Sequence, residues 1–454
     1  MSRRCLPILA RLCLVVLTGV PAPAVAEGTG APALARAPLT LEAAVGRALE
    51  RNERARAAGA RVEAADARLA RARAFFWPDL TLTGNYTHRL FEPQAAGGRG
   101  FGQDQDVLSA TAGLSATIFD FRTYPLLRQA RQAREASRLN AAEERRALAF
   151  EAAQAFLATL GAEQVVEAAL RRRALAAQGL REAKARAEAR LASVHDVTRS
   201  ELASHDADAA VARVRVAAAQ ARVHLAALLD LPETDAQAPL LAPAALLSLS
   251  GPAPDAVTTG AGGLVEAARA ERADLAARRA GLAAQAESAD EPGRRFVPSL
   301  RFDAQYGVSS QEGFGGRHDD GVVGLTLAWP LFDGFERDAE EDERRAVWRE
   351  QAAMAEQAVR FVERDVRLAL VALEAQSAQI EATRAAAGAA TRNTQETTTL
   401  YGQGLASAFE VADALTRQFE AEVALTQAEL GLAAARLQLS LATGAYPPGA
   451  KERD

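Results

Sequence analysis

Two stretches of the chain alternate apolar and polar side chains with a period of two. After Pro78, Leu80, Leu82 and Tyr86 share one face while Thr81, Thr83 and Asn85 share the other. After Pro298, 220 residues later, Leu300, Phe302 and Tyr306 repeat the apolar face and Arg301, Asp303 and Gln305 the polar one. A period of two is that of a β-strand with two unlike faces. A second strand follows each, Leu108 to Phe119 and Gly321 to Phe332, ending in the matched Ile118-Phe119-Asp120 and Leu331-Phe332-Asp333. Gly-rich polar loops with the tips Gly100-Phe101-Gly102 and Gly313-Phe314-Gly315 lie between the strands of each pair. The pattern predicts two β-hairpins, at about 79–119 and about 299–332.

The period then changes to that of a helix. Tyr124 to about Arg190 and Arg337 to about Gln403 hold no proline beyond Pro125. At 1.5 Å per residue each predicted helix could reach roughly 100 Å. Leu148, Ala152, Ala155, Ala158 and Ala162 in the first, and Val359, Val362, Val366, Ala369, Leu373 and Ile380 in the second, keep the three-four spacing of a packing seam. Each long helix is predicted to break at a repeated motif: Arg190-Leu191-Ala192-Ser193 before Asp196-Val197, and Gly404-Leu405-Ala406-Ser407 before Glu410-Val411, 214 residues apart. A return helix follows each break. The chain is thus a duplication, divided as a leader 1–26, a first repeat 27–230, a Pro/Ala/Ser/Gly-rich linker 231–263, a second repeat 264–444 and a tail 445–454.

Composition fits long, close-packed helices: apolar residues make up 49% of the 454, yet aromatics only 5%, because alanine supplies much of the apolar count. Arg3 and Arg4, the apolar run Leu6 to Val20 and Ala24-Val25-Ala26 read as a secretory signal with cleavage near Glu27. Pro7 and Arg11 leave the run too broken to span a membrane of about 30 Å. Cys5 and Cys13, the only cysteines, both fall in this leader, so the mature chain is expected to hold no disulfide or thiolate site. Lipidation of Cys13 is the rival, disfavoured by Leu12 where a small residue is wanted. The formal net charge of −5, more negative once Arg3, Arg4 and Arg11 are removed, gives nucleic-acid binding no support.

Strands with one apolar and one polar face suit a membrane barrel, apolar toward lipid and polar toward water, although a soluble sandwich would use the same alternation. Trp77 and Trp329 favour the barrel, because they stand at the same end of their hairpins, where an interfacial aromatic belt lies. Four strands cannot close a barrel in lipid, so several chains must pool theirs.

Together the residues resemble the TolC-like outer-membrane factor family of efflux and type I secretion ducts. The resemblance rests on Leu39-Thr40-Leu41-Glu42-Ala43-Ala44 with Ala48-Leu49-Glu50-Arg51-Asn52, on the two Pro-led strands, on Trp329-Pro330-Leu331-Phe332-Asp333-Gly334 and on the paired break motifs. It implies a mainly α fold with membrane β: a homotrimer whose four strands per chain make a twelve-stranded barrel, continued by a periplasmic α-helical barrel. It implies a passive exit duct in the outer membrane, surrounded by lipid and opened at its periplasmic tip by a periplasmic adaptor and an inner-membrane transporter. It implies, too, a gate at Glu410 and Asp413, with Asp196 and Tyr401, and adaptor docking at Arg190, Leu191, Ala192 and Ser193 and at Gly404, Leu405, Ala406 and Ser407. Three carboxylates brought close on an axis attract cations and raise one another's pKa. The plainer reading of Asp196 and Glu410 is that they cap the return helices.

Three departures from the family pattern stand out. Arg190 occupies the first break where glycine is usual, Ala406 replaces a basic residue that closes the tip in some relatives, and Glu53 replaces a proline after Asn52, which is expected to extend the first helix. No catalytic set is legible, and no cofactor is implied. His88, His195, His205, His224 and His318 lack metal-ligand spacing, leaving His195 beside Asp196 a turn residue. The rivals from other classes are a soluble periplasmic coiled-coil adaptor and a secreted hydrolase, which would lack twin lipid-type hairpins and need a nucleophile-base set respectively.

Overall fold

A computed structural model describes residues 38–88, 90, 106–232, 240, 256–310 and 317–447. The expected leader with Cys5 and Cys13, both Gly-Phe-Gly tips and most of the linker and tail lie outside the described residues. Twelve elements follow in the order α1 (Leu41–Arg51), α2 (Glu53–Ala74), β1 (Asp79–His88), β2 (Asp106–Phe119), α3 (Thr123–Glu188), α4 (Val194–Leu228), α5 (Ala256–Glu271), α6 (Ala273–Arg294), β3 (Ser299–Ser309), β4 (Asp319–Ala328), α7 (Glu336–Gly402) and α8 (Ala408–Thr443). The fold is mainly helical, with one small sheet, and its second half repeats the order of its first.

The helix starts show why the boundaries fall where they do. Thr40 caps α1, its hydroxyl accepting from the Ala43 N–H at 3.2 Å. Helix α1 does not run on through Glu53 as expected. Asn52 has extended backbone, accepts from the Arg54 N–H at 2.9 Å and so starts α2 afresh, while its Nδ2 donates to the Leu228 carbonyl at 3.0 Å. An Asn side chain that can both cap a helix and reach another one makes a break without proline.

Two cores anchor the molecule, the first built mainly by the first repeat with Ala433 and Leu437 of α8, the second by the second repeat. Leu41 and Val45 of α1 pack on Leu148, Phe150 and Phe156 of α3 with Leu225 of α4. Leu264 and Val265 of α5 pack on Val362 and Val366 of α7 with Leu439 of α8. The predicted seams are buried at Leu148, Ala152, Ala155, Val362, Val366, Ala369 and Ile380, whereas Ala158 is exposed on the outer face of α3, between the buried Leu157 and Thr159. Helix α5 begins within the expected linker, bent at Gly260 where φ is +67°, and Leu240 bridges to Leu39 beside the first core.

The strands form one antiparallel meander, β1-β2-β3-β4, so the two hairpins join through β2 and β3 although α3 to α6 lie between them in sequence. β4 ends at Ala328, four residues before the expected Phe332. Pro330 lacks the N–H a ladder needs. On β1 the predicted apolar face stands in the open, with Leu80 74% and Leu82 75% exposed, and on β4 Val323, Leu325 and Leu327 are likewise exposed. β1 and β4 are both edges unpaired within the chain. Among the described residues no helix is long and apolar enough to cross a membrane.

Candidate functional site at the helical tip

Far along α3 and α7 from the sheet, the chain turns back twice with one geometry. The Leu191 N–H donates to the Arg186 carbonyl at 2.8 Å, and the Leu405 N–H to the Leu400 carbonyl at 2.9 Å. Each turn needs one residue in the left-handed region, supplied by Gly404 at φ +77° and by Arg190 at φ +59°. The arginine therefore takes the conformation that favours glycine, and the two breaks match in shape despite the sequence departure. An L-side chain there costs about 1 kcal/mol. Arg190→Gly is accordingly expected to raise stability by roughly 0.5 to 1 kcal/mol, read as a shift in the denaturant midpoint. A lowered midpoint would mean that the Arg190 side chain itself stabilises the break.

Both return helices start with a capping box. The Asp196 N–H donates to Ser193 Oγ at 3.2 Å and the Ser193 N–H returns to Asp196 Oδ2 at 3.1 Å. At the second break the Glu410 N–H donates to Ser407 Oγ at 3.3 Å and the Ser407 N–H to Glu410 Oε2 at 2.6 Å. The Ser407 N–H, then its hydroxyl, holds the Glu410 carboxyl below its ordinary pKa, and the Ser193 hydroxyl, then its N–H, does the same for Asp196. Such depressed groups stabilise the fold in full above the ordinary carboxylate range. That contribution is lost only as pH falls through the lowered values, so both starts stay capped at neutral pH.

Asp413 stands one turn further along α8, exposed, and accepts from Arg417 Nε at 2.7 Å. Glu410 is exposed as well. Tyr401 is placed differently from these carboxylates. It is 7% exposed, its hydroxyl is buried without a partner among the described residues, and burial pushes its pKa up. A small cavity between the hairpins is lined by Tyr401 with Gln178, Glu182, Ser200 and Thr398. Of the break residues, Leu191 and Leu405 are exposed at their turns, while Ala192 and Ala406 are half-buried. His195 lies within the first turn of α4 and not in the turn before it, and accepts from Arg199 Nε one helical turn on at 2.9 Å.

Sequence reasoning missed Arg186. Its guanidinium donates to the carbonyls of Tyr401 at 2.6 Å and Gly402 at 2.8 Å and lies 4.5 Å from the Tyr401 ring. Helix α7 has no basic residue in its last turn, so α3 supplies the cation that completes its C-terminal end. The available signal was a tyrosine isolated in Ala/Thr-rich helix text, which needs a polar or cationic neighbour when buried.

At the other end, Trp77 and Trp329 flank the first and last strands, both exposed. Trp329 donates to the Phe296 carbonyl at 3.1 Å and meets the Phe296 ring edge-on. Exposed Phe75, Phe76 and Phe332 widen this aromatic zone beyond the two tryptophans.

A family model described as outer membrane efflux protein matches residues 44–230 and 264–445, the two repeats. No curated relative matches. Among solved structures, the outer membrane protein VceC of Vibrio cholerae shares 18% identity at a TM-score of 0.73, over 89% of this chain and 96% of that one. A membrane protein from Pseudomonas aeruginosa shares 24% at 0.76, over 89% and 92%. The open state of the Neisseria gonorrhoeae MtrE outer membrane channel shares 22% at 0.71, over 89% of each chain.

Proposed function

This chain belongs to the outer membrane efflux protein family, and from that premise we propose that three copies form a passive exit duct through the outer membrane. The observation that carries the reading is the sheet. It exposes Leu80, Leu82, Val323, Leu325 and Leu327 and leaves β1 and β4 unpaired. Open edges are not tolerated in lipid, and three sheets joined β1 to β4 would close a barrel of twelve strands with no edge left. Trp77 and Trp329 then lie at the membrane interface on the periplasmic side. The 66 residues of α3, at 1.5 Å each, carry the tube about 100 Å into the periplasm.

In this assembly Glu410 and Asp413 of three chains gather on the axis as a cation-attracting constriction, with Asp196 and Tyr401 behind them. Capping and gating are compatible at Glu410, since a helix-start carboxylate keeps a free face. Leu191 and Leu405, exposed at matched turns with Arg190, Ala192, Ser193, Gly404, Ala406 and Ser407, form the surface for a periplasmic adaptor that couples the duct to an inner-membrane transporter. Fractionation with unheated and heated gels of the purified protein tests the reading. We expect outer-membrane recovery, a trimer that dissociates on heating, and ion conductance in planar bilayers. A chain found in the soluble periplasm with no heat-sensitive trimer would instead be a coiled-coil adaptor.

A further inference from the structure

Beside the sheet, the second repeat joins α6 to α7 with a charge network. Glu291 of α6 is buried, accepts from Arg295 Nε at 2.8 Å and Nη2 at 2.7 Å, and accepts again from Arg344 Nη1 of α7 at 2.9 Å. Glu340 of α7 accepts from Arg295 Nη1 at 2.7 Å. Two acids and two bases thus neutralise one another where the helices meet.

The first repeat lacks both acids. Aligned on Phe76 with Phe296 and Pro78 with Pro298, Arg71 stands where Glu291 stands; aligned on Asp120 with Asp333, Leu127 stands where Glu340 stands. Where α2 meets α3, a cavity of about 370 Å³ opens between Arg68, Arg71, Phe75, Thr123, Arg134 and Ser137. Arg134 pairs with Asp66. Among the described residues Arg68 and Arg71 have no ion-pair or hydrogen-bond partner, although like charges three residues apart on a helix repel. Solvated arginines on a bare face would account for the charge, but not for a cavity of ligand size beside them, nor for its lying where the other copy holds a buried carboxylate.

We propose that this cavity binds an anionic amphiphile, a phosphate, sulfonate or carboxylate on an apolar body, whose charge takes the place that the Glu291 carboxylate has in the second repeat. Guanidinium groups hold such oxyanions through paired N–H donors. The exposed Phe75 ring and Leu126 supply the apolar wall. Two sources share this chemistry, a phospholipid of the adjoining leaflet and a soluble organic anion, and only the first rests on the membrane placement proposed above.

Calorimetric titration of the purified full chain with naphthalenesulfonate, against uncharged naphthalenemethanol, tests the soluble source. Native mass spectrometry of the protein from nanodiscs of mixed phosphatidylglycerol and phosphatidylcholine tests the lipid. We expect one of the two anions to be preferred over its match without net charge. Arg68→Gln with Arg71→Gln should weaken that binding about tenfold or more at an unchanged denaturant midpoint. Arg71→Glu, which restores the acid of the second repeat, should weaken it at least as much. If neither anion is preferred, or if both arginine variants bind it as the unmodified chain does, the site is overturned. A chain that binds the sulfonate but enters no membrane would overturn the duct and leave the site standing.

Discussion

Arg146→Ala is expected to lower stability by about 3 to 5 kcal/mol, the cost of breaking a buried charge pair by removing one partner. Arg146 is 2% exposed. Its Nε and Nη2 grip Glu143 at 2.9 and 2.7 Å, and its Nη1 donates to the Leu441 and Ala445 carbonyls at 2.8 and 3.3 Å. Truncation leaves a partly buried carboxylate without its cation and takes a charged donor from the Leu441 and Ala445 carbonyls at the end of α8. Arg54→Ala is the control, because the Arg54–Glu151 pair is almost half exposed on both sides and such pairs are worth about 0 to 1 kcal/mol. Denaturant midpoints of the two variants followed by helical circular dichroism give the comparison, and equal losses would refute the assigned role of Arg146.

The second large effect is at the constriction. Glu410→Gln with Asp413→Asn removes six charges from a trimeric tip while keeping side chains that still hydrogen-bond, since glutamine also serves in a capping box. Single-channel conductance should rise, and block by divalent cations should weaken by about tenfold, as each charge near the ion contributes on the order of 1 kcal/mol even in water. Glu410→Ala loses its half of the capping box as well, the bond to the Ser407 N–H at the start of α8. If only the alanine variant alters conductance, Glu410 is a cap and not a gate.

Much of this architecture is written in periodicity. The strands of period two, the two long helices and the twin breaks are all legible because each is a local pattern and each occurs twice. The tip was legible as a position but not as a set of contacts. Ser193 and Ser407 announce their capping boxes three residues ahead of Asp196 and Glu410, whereas Arg186 meets Tyr401 across more than two hundred residues, and no spacing rule ties them. Asn52 misled for a related reason: the absence of proline suggested a continuous helix, yet Asn52 caps α2 through the Arg54 N–H and is held there by a hydrogen bond to the distant Leu228. Local text specifies elements, and long-range partners decide where they stop.

The C-terminal ends of both long second-repeat helices are completed by α3, through Arg186 on α7 and Arg146 on α8. Neither helix carries a basic residue in its own last turn. Chain order thereby becomes a property of biogenesis: α3 leaves the ribosome long before the carbonyls it must satisfy, so the first repeat is already present as a template when the second arrives. The two halves are similar in shape and unequal in self-sufficiency. A second repeat made alone would emerge with two helix ends closed only by their own backbone turns, at Gly404 and Gly444, and supplying the first repeat in trans is what would add the missing cations.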